Sequence, residues 1–184
     1  MAIENGDLNT ECEALIGLGN NRKARADLPG AREYYHRALA VAREIDSLNS
    51  ECTLCGCIGN IYAMQEHYDK AAPWFEAGLT ASRNLGDRTN ECSALLSLGL
   101  VRFDMGYAGV SVLHNQEALA IAREIGDRGR EGRALYEIAV GFHAQKLTHE
   151  ARQFAESALS VLLAIDSPHA RVVQQRIATW EAES

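Results

Sequence analysis

The sequence predicts an all-α protein, a right-handed α-solenoid of four helix-turn-helix repeats followed by a C-terminal capping helix. Three observations support this fold class. The chain repeats itself every forty residues, apolar residues recur within each repeat at helical spacing, and only three prolines occur in 184 residues. Because alanine-rich helices would not keep one register over four copies by chance, we expect a single repeat domain over residues 1–184.

The copies align without gaps in both of their halves. The first halves begin with ECEALIGLGN at Glu11, ECTLCGCIGN at Glu51, ECSALLSLGL at Glu91 and EGRALYEIAV at Glu131. The second halves contain ALAVAREI, GLTASRNL, ALAIAREI and ALSVLLAI. The alignment gives four repeats, with the boundaries 11–50, 51–90, 91–130 and 131–166.

Each copy is predicted to form two amphipathic helices joined by a turn. In the second copy, apolar or small residues follow the i, i+3, i+4, i+7 spacing of one helix face, at Cys55, Ile58, Gly59 and Tyr62. The second half carries a similar stripe, and short polar segments separate the halves. Since a helix pair of this size cannot bury its apolar face alone, neighbouring pairs must stack.

The two ends of the chain differ from the repeats. Residues 168–182 are predicted to form a final helix with a narrow apolar stripe, as a capping helix requires. Residues 1–9 align with the end of a second helix, so they are either the remnant of a preceding helix or a short cap. Thr10 and Glu13 have the spacing of a capping box that would start the first helix. The small, polar back of that helix favours a complete stack, with a fragment of a longer chain as the alternative.

The repeat resembles the tetratricopeptide repeat in its long variant, which occurs in the Leu-Gly-Asn-repeat scaffold, kinesin light chain and bacterial regulators. Residues 11–166 carry the resemblance. The family's series of large, Leu, Gly, aromatic, Ala, aromatic and Ala falls in copy one on Leu15, Leu18, Gly19, Arg22, Ala31, Tyr35 and Ala38. In copy two it falls on Cys55, Ile58, Gly59, Tyr62, Ala71, Phe75 and Gly78. Copy three departs most from the series, because Arg102 and Asn115 stand at both aromatic positions.

Composition and charge exclude or disfavour several classes of function. The net charge is −7, and no basic cluster is longer than NRKAR at 21–25, so direct binding of nucleic acid is disfavoured. The sequence has no apolar run of the roughly 18 residues that a membrane helix needs. It also lacks the pattern of a secretory signal. Five cysteines without a pairing pattern indicate reduced thiols, and therefore a cytoplasmic protein.

The cysteine cluster does not have the arrangement of a metal site. On a helix, Cys55 and Cys57 point about 200° apart, and no histidine lies close enough in sequence to complete a tetrahedral set of ligands. The ladder of Cys12, Cys52 and Cys92 is the remaining candidate. The chain also lacks a nucleophile elbow or another catalytic motif. We therefore expect no metal, no cofactor and no catalytic residue, which predicts that the protein is not an enzyme.

The resemblance implies that the first helices line a concave groove that receives a peptide. In similar long-repeat proteins, asparagines at the positions of Asn20 and Asn60 clamp an extended peptide, since an amide both donates and accepts hydrogen bonds. Five residues in the last two copies would form an apolar patch, unless the capping helix covers them. The candidate peptide-binding residues are Asn20, Lys23, Asn60, Met64, Leu96, Leu100, Phe103, Arg133, Tyr136 and Val140.

The leading functional prediction is a non-catalytic module that binds a peptide segment of a partner protein. The alternative is a ligand- or peptide-sensing domain of a bacterial signalling or transcription regulator. Binding of a chaperone tail is not expected, because the three positions that would need basic residues hold Ile16, Leu96 and Leu100. A place within a longer chain and a homodimer formed through an end repeat both stay open.

Overall fold

The computed structural model describes residues 2–182, with side chains from residue 7 onward. This part of the chain consists of helices and short turns. The helices are α1 (Ala2–Ala24), α2 (Leu28–Glu44), α3 (Leu48–Met64), α4 (Tyr68–Leu85), α5 (Arg88–Asp104), α6 (Ala108–Glu124), α7 (Arg128–Ala144), α8 (Thr148–Leu163) and α9 (His169–Ala182).

The chain divides into two compact units, the first ending at Ala94 and the second beginning at Leu95. In the first unit, α1 packs on α2, α2 on α3, and α3 on α4. In the second unit, α6 packs on α7, α7 on α8, and α8 on α9. Each helix in these series therefore contacts its neighbours in the sequence, as expected of a repeat array.

A left-handed residue ends the helix before every turn. Its φ angle lies between +51° and +86°. Three of these residues are glycine, which adopts this conformation at little cost because it has no Cβ. The positions recur every twenty residues, half the length of the sequence repeat, at Ala26, Asp46, Glu66, Gly86, Gly106, Gly126, Lys146 and Asp166.

The helices that begin after every second turn share an N-cap. A side-chain oxygen accepts a hydrogen bond from a backbone N–H in the first turn, at 2.8–3.4 Å, and so satisfies a donor that the helix itself leaves unpaired. These capping residues recur every forty residues, at Ser47, Asp87, Asp127 and Ser167. The same kind of cap also starts α2, where Asp27 Oδ1 accepts from the Gly30 N–H at 3.0 Å.

The start of the chain differs from the prediction. Residues 2–9 continue without a turn into α1, which ends at Ala24. They are thus the first turns of α1, and Thr10 is an interior helix residue instead of the start of a capping box. The reason is local: among the described residues, none before Ala26 adopts the left-handed conformation that ends α2 at Asp46.

The first helix also leaves one predicted core residue exposed. Leu18 is 48% exposed, whereas Ile58 at the equivalent position of α3 is fully buried. Ile58 belongs to the core cluster in which α3 packs against α2. Since no described helix precedes α1, Leu18 has no such neighbour.

The two helices of a pair meet where a glycine faces a bulky side chain. A Cβ added to Gly19 would lie 2.5 Å from Tyr35 Cε1, and one added to Gly59 would lie 2.7 Å from Phe75 Cε1. Both distances are well inside van der Waals contact, so only glycine lets these helices approach around a buried ring. Copy four has a small residue on both helices, since Ala139 and Ala155 occupy the two positions and both are buried.

Copy three fills the same position with an amide. Asn115 is fully buried against Gly99, where a Cβ would lie 2.5 Å from Asn115 Nδ2. Its Nδ2 donates hydrogen bonds to the carbonyl oxygen and hydroxyl of Ser111, at 3.0 and 3.3 Å. Its Oδ1 has no hydrogen-bond partner, which is unfavourable for a buried polar atom. The missing aromatic is thus replaced by a smaller, incompletely satisfied side chain.

A repeated ion pair joins each second helix to the first helix of the next copy. In all three cases an arginine Nε contacts a glutamate Oε1 at 2.9 Å, eight residues further along the chain. In two of them the glutamate is buried and a second arginine contacts its other oxygen at 2.5 Å. The pairs are Arg43–Glu51, Arg83–Glu91 with Arg88, and Arg123–Glu131 with Arg128. These arginines and glutamates recur every forty residues in the sequence.

The glycine contact predicts opposite effects of the same substitution at two positions of α3. Gly56→Ala should raise the free energy of unfolding by up to about 1 kcal/mol, because its Cβ would meet nothing within 4 Å and alanine favours helix. Gly59→Ala should lower it by about 1–3 kcal/mol, since the Phe75 ring must move. Urea denaturation of the two variants measures both values. Equal effects would contradict the packing described here.

Candidate functional site

The two equivalent asparagines have different environments. Tyr35 Oη donates a hydrogen bond to Asn20 Oδ1 at 2.8 Å. Burial raises the pKa of Tyr35 to about 12, so its hydroxyl keeps the proton that it donates. Phe75 stands at the position of Tyr35 in copy two, and Asn60 is exposed without a hydrogen bond to any described residue. Of the two amides, only that of Asn60 therefore presents all of its donors and acceptors to a ligand.

The other two candidates of the first unit differ in exposure. Met64 is 59% exposed at the end of α3. Lys23 is half-buried near Cys57, where burial raises the pKa of the thiol and the lysine charge opposes that effect. Met64 therefore offers an apolar contact on the surface, and Lys23 offers a charge that is partly withdrawn from water.

Leu96 does not lie where the sequence analysis placed it. It was expected on the exposed apolar patch, but only 1% of its surface is accessible. The equivalent residues Ile16, Gly56 and Tyr136 are all half-buried. This position is thus partly covered in every copy, and a leucine there is buried completely. Leu96 is a core residue and cannot act as an exposed anchor.

The remaining candidates of the second unit are at least partly accessible. Arg133 is exposed, Leu100 is 37% exposed, and Phe103, Tyr136 and Val140 are half-buried. Of these, Arg133 and Tyr136 line a common cavity, which Leu100, Phe103 and Val140 do not reach. The structure therefore brings together two of the predicted residues and leaves the other three outside the cavity.

The cavity lies between α7, the end of α8 and the start of α9, and its volume is about 450 Å³. Leu162, Val172 and Val173 provide apolar wall, and Glu137 lies one turn after Arg133 on α7. At the far end of α7, His143 stacks on Trp180 with ring centroids 4.3 Å apart, which fixes α9 against α7. The sequence analysis missed Glu137 and the α9 residues because the cavity exists only once α9 is placed.

The cysteines have a packing role. The thiols of Cys12 and Cys52 donate weak hydrogen bonds to the carbonyl oxygens of Ala38 and Gly78, both at 3.5 Å. Burial raises the pKa of the Cys55 thiol to about 11, so the reactive thiolate is scarce at neutral pH. Among the described residues, no three His, Cys, Asp or Glu side chains are grouped as a metal ion requires.

No helix in residues 2–182 is long and apolar enough to cross a membrane. No model of a protein family matches the sequence, and no curated protein matches it. Solved structures, in contrast, do match this chain, and the similarity is one of fold.

Three similar structures are tetratricopeptide repeat proteins or Rap proteins. A signal transduction ATPase with numerous domains and a tetratricopeptide repeat sensor, from Pyrococcus horikoshii, has a TM-score of 0.78 at 22% identity over 92% of this chain and 25% of its own. A Rap protein complexed with competence and sporulation factor has a TM-score of 0.77 at 12% identity, over 94% of this chain and 48% of the Rap protein. The tetratricopeptide-like repeats of a putative kinesin light chain from Podosopora anserina have a TM-score of 0.75 at 14% identity, over 96% of this chain and 86% of the kinesin light chain structure.

These similarities define the fold. The chain is an all-helical array with the fold of tetratricopeptide repeat proteins, as the sequence analysis predicted. It spans about a quarter of the Pyrococcus horikoshii protein and about half of the Rap protein.

The contrast between the two asparagines predicts different effects on stability. Asn20→Ala and Asn60→Ala gain the same helix propensity, but only the first leaves the buried Tyr35 hydroxyl without its acceptor. The free energy of unfolding of Asn20→Ala should therefore be about 1 kcal/mol lower than that of Asn60→Ala. For a chain of this size the melting temperatures should differ by about 2–4 °C. Equal melting temperatures in calorimetry would show that the Tyr35 hydrogen bond does not matter.

Proposed function

We propose that this chain is a non-catalytic binding module of four tetratricopeptide-type repeats that holds a segment of a partner protein on its first helices. The proposed repeats keep the boundaries predicted from the sequence and a right-handed path, with α9 as the capping helix. Support comes from the fold and from surface residues on first helices, such as Asn60 and Arg133, that make no hydrogen bond with a described residue. The observation that carries the proposal is the cavity beside Arg133 and Tyr136.

In the first unit, Asn60 and Met64 are the proposed contact residues. The amide of Asn60 would pair with the backbone of the bound segment, and Met64 would contact an apolar side chain. Lys23 adds a positive charge. Asn20 has a smaller role, because Tyr35 already occupies one lone pair of its carbonyl oxygen.

In the second unit, Arg133, Tyr136 and Val140 on α7 are the proposed contact residues, with Leu100 and Phe103 on α5. A neutral hydrogen bond contributes only about 1 kcal/mol, whereas micromolar affinity corresponds to about −8 kcal/mol. Burial of apolar surface must therefore supply most of the binding energy. The half-buried Tyr136 is the strongest single contributor that this surface offers.

A second candidate is a sensor domain that receives a small ligand. The similar repeat array of Pyrococcus horikoshii is described as a sensor, and the Rap structure holds competence and sporulation factor. The volume of the cavity also lies within the 300–1,000 Å³ range of small-molecule sites.

We also propose that the protein is cytoplasmic and that it binds neither nucleic acid nor a membrane.

A selection from a displayed random peptide library, followed by calorimetry with synthetic peptides, tests the leading proposal. Selected peptides should bind with micromolar affinity, and Tyr136→Ala should weaken a peptide bound to the second unit by about tenfold, which is about 1.4 kcal/mol. Asn60→Ala should weaken a peptide bound to the first unit by a smaller factor, because it removes only hydrogen bonds.

Two control variants distinguish the loss of a contact with the peptide from a general loss of stability. Tyr107→Ala removes a more exposed tyrosine just before α6, and Asn84→Ala removes an exposed asparagine from α4. Both should leave the affinity unchanged. If no peptide is enriched, or if the control variants weaken binding as much as the site variants, the proposed function is wrong.

A further inference from the structure

The cavity of the second unit contains two charged groups that no described residue neutralises by contact. Glu137 and Arg133 both line it, yet neither makes a hydrogen bond or an ion pair with a described residue. Asp127 and Arg130 also line it, but they form an ion pair with each other. The cavity therefore presents one unmatched carboxylate and one unmatched guanidinium.

The position of Glu137 is unfavourable for its charge. Burial raises the pKa of its carboxyl, the negative charge of Asp104 raises it further, and the Arg133 charge opposes both effects. A carboxylate withdrawn from water without a hydrogen-bond donor is costly, and a cation placed against it would offset that cost. The local potential thus selects a positively charged group at this end of the cavity.

The geometry of α7 sets the spacing of the two charges. Residues four apart on a helix lie on one face with their Cβ atoms roughly 6 Å apart. Both side chains therefore extend over the same part of the cavity, with Tyr136 beside them. The arginine precedes the glutamate, which is the weaker order for a pair within one helix. A ligand that carries both charges can therefore compete with a direct pair.

Apolar side chains form a large part of the remaining wall, beside Ser167 and His169. Leu162 and Val173 are buried, Val172 is half-exposed on the outer side, and Tyr136 adds an aromatic face. A large aliphatic or aromatic side chain would displace water from these groups, which favours binding. Since the volume of about 450 Å³ lies in the lower part of the range for ligand sites, it suits a small molecule or the end of a chain.

We propose that this cavity binds an α-amino acid unit with a free ammonium group and a large apolar side chain. The ammonium would lie against Glu137, an oxygen of the adjoining carbonyl or carboxylate would accept from Arg133, and the side chain would contact Tyr136, Leu162 and Val173. This proposal names the ligand of the α7 surface under the proposed function. A free amino acid and the N-terminal residue of a peptide both have this chemistry.

Calorimetry with four probes tests the proposal on the full chain. The probes are L-leucine, L-leucinamide, the tripeptide Leu-Ala-Ala amide, and the same tripeptide with an acetylated N-terminus. We expect at least one free-amine probe to bind, and the acetylated tripeptide to bind about tenfold or more weakly than its free-amine form, or not at all. Tighter binding of L-leucine than of the amides would assign the site to a free amino acid, and the reverse order to a peptide N-terminus.

Variants assign the contacts. Glu137→Gln should weaken the free-amine probe by about tenfold or more, while Glu33→Gln, an exposed glutamate on α2, should have no effect. Arg133→Gln should weaken L-leucine more than L-leucinamide, while Arg176→Gln on α9 should weaken neither. Glu137→Gln should not lower the melting temperature, because it removes a carboxylate that makes no hydrogen bond or ion pair with a described residue.

Two results would overturn the proposal: no free-amine probe binds at millimolar concentration, or acetylation leaves the affinity of a bound tripeptide unchanged. The comparison of acetylated and free-amine probes on the unaltered protein keeps the test valid even if a variant fails to fold. If library peptides that Tyr136→Ala weakens bind equally well with an acetylated N-terminus, the ligand chemistry proposed here is wrong and the binding module stands. If no library peptide binds while L-leucine does, the proposed binding module is wrong and the ligand chemistry proposed here stands.

Discussion

The fold depends on the close approach of paired helices at a glycine. Tyr35 and Phe75 can be buried only because Gly19 and Gly59 face them without a side chain. Copy three keeps the glycine with a smaller amide, and copy four uses two alanines. In every copy at least one side of the contact is a small residue, which lets the paired helices pack densely. The ion pairs from Arg43 and its equivalents then join successive pairs.

This packing also decides which residues are left for binding. The glycine and its neighbour in sequence lie about 100° apart on the helix, so the neighbour points away from the buried ring. Asn20 and Asn60 occupy that neighbouring position, but the partner ring distinguishes them. A tyrosine reaches out to Asn20, whereas a phenylalanine cannot reach Asn60 with a hydroxyl. One hydroxyl group in the core therefore changes how much of an exposed amide is open to a ligand.

The repeat pattern predicted the helices, their turns and most of the core, because these follow from local periodicity. It was wrong where a residue depends on what lies beside it in space. Leu18 is exposed, with no described helix before α1, and Leu96 is buried in a half-covered position. The continuation of residues 2–9 into α1 is a local departure, since no turn interrupts the helix. The cavity was not predictable, since Glu137 and Val172 are far apart in sequence and only the placement of α9 brings them together. The recurrent Arg43–Glu51 pair was predictable from spacing alone.

A double-mutant cycle at Gly59 and Phe75 tests the central claim most directly. Gly59→Ala, Phe75→Ala and the double variant, which recreates the Ala139–Ala155 pair of copy four, are compared by their free energies of unfolding. If the ring and the glycine constrain each other, Gly59→Ala should cost much less, or even stabilise, once Phe75 is alanine, with a coupling of about 1–3 kcal/mol. Effects that add to within about 0.5 kcal/mol would show that the two residues act independently and would contradict this account.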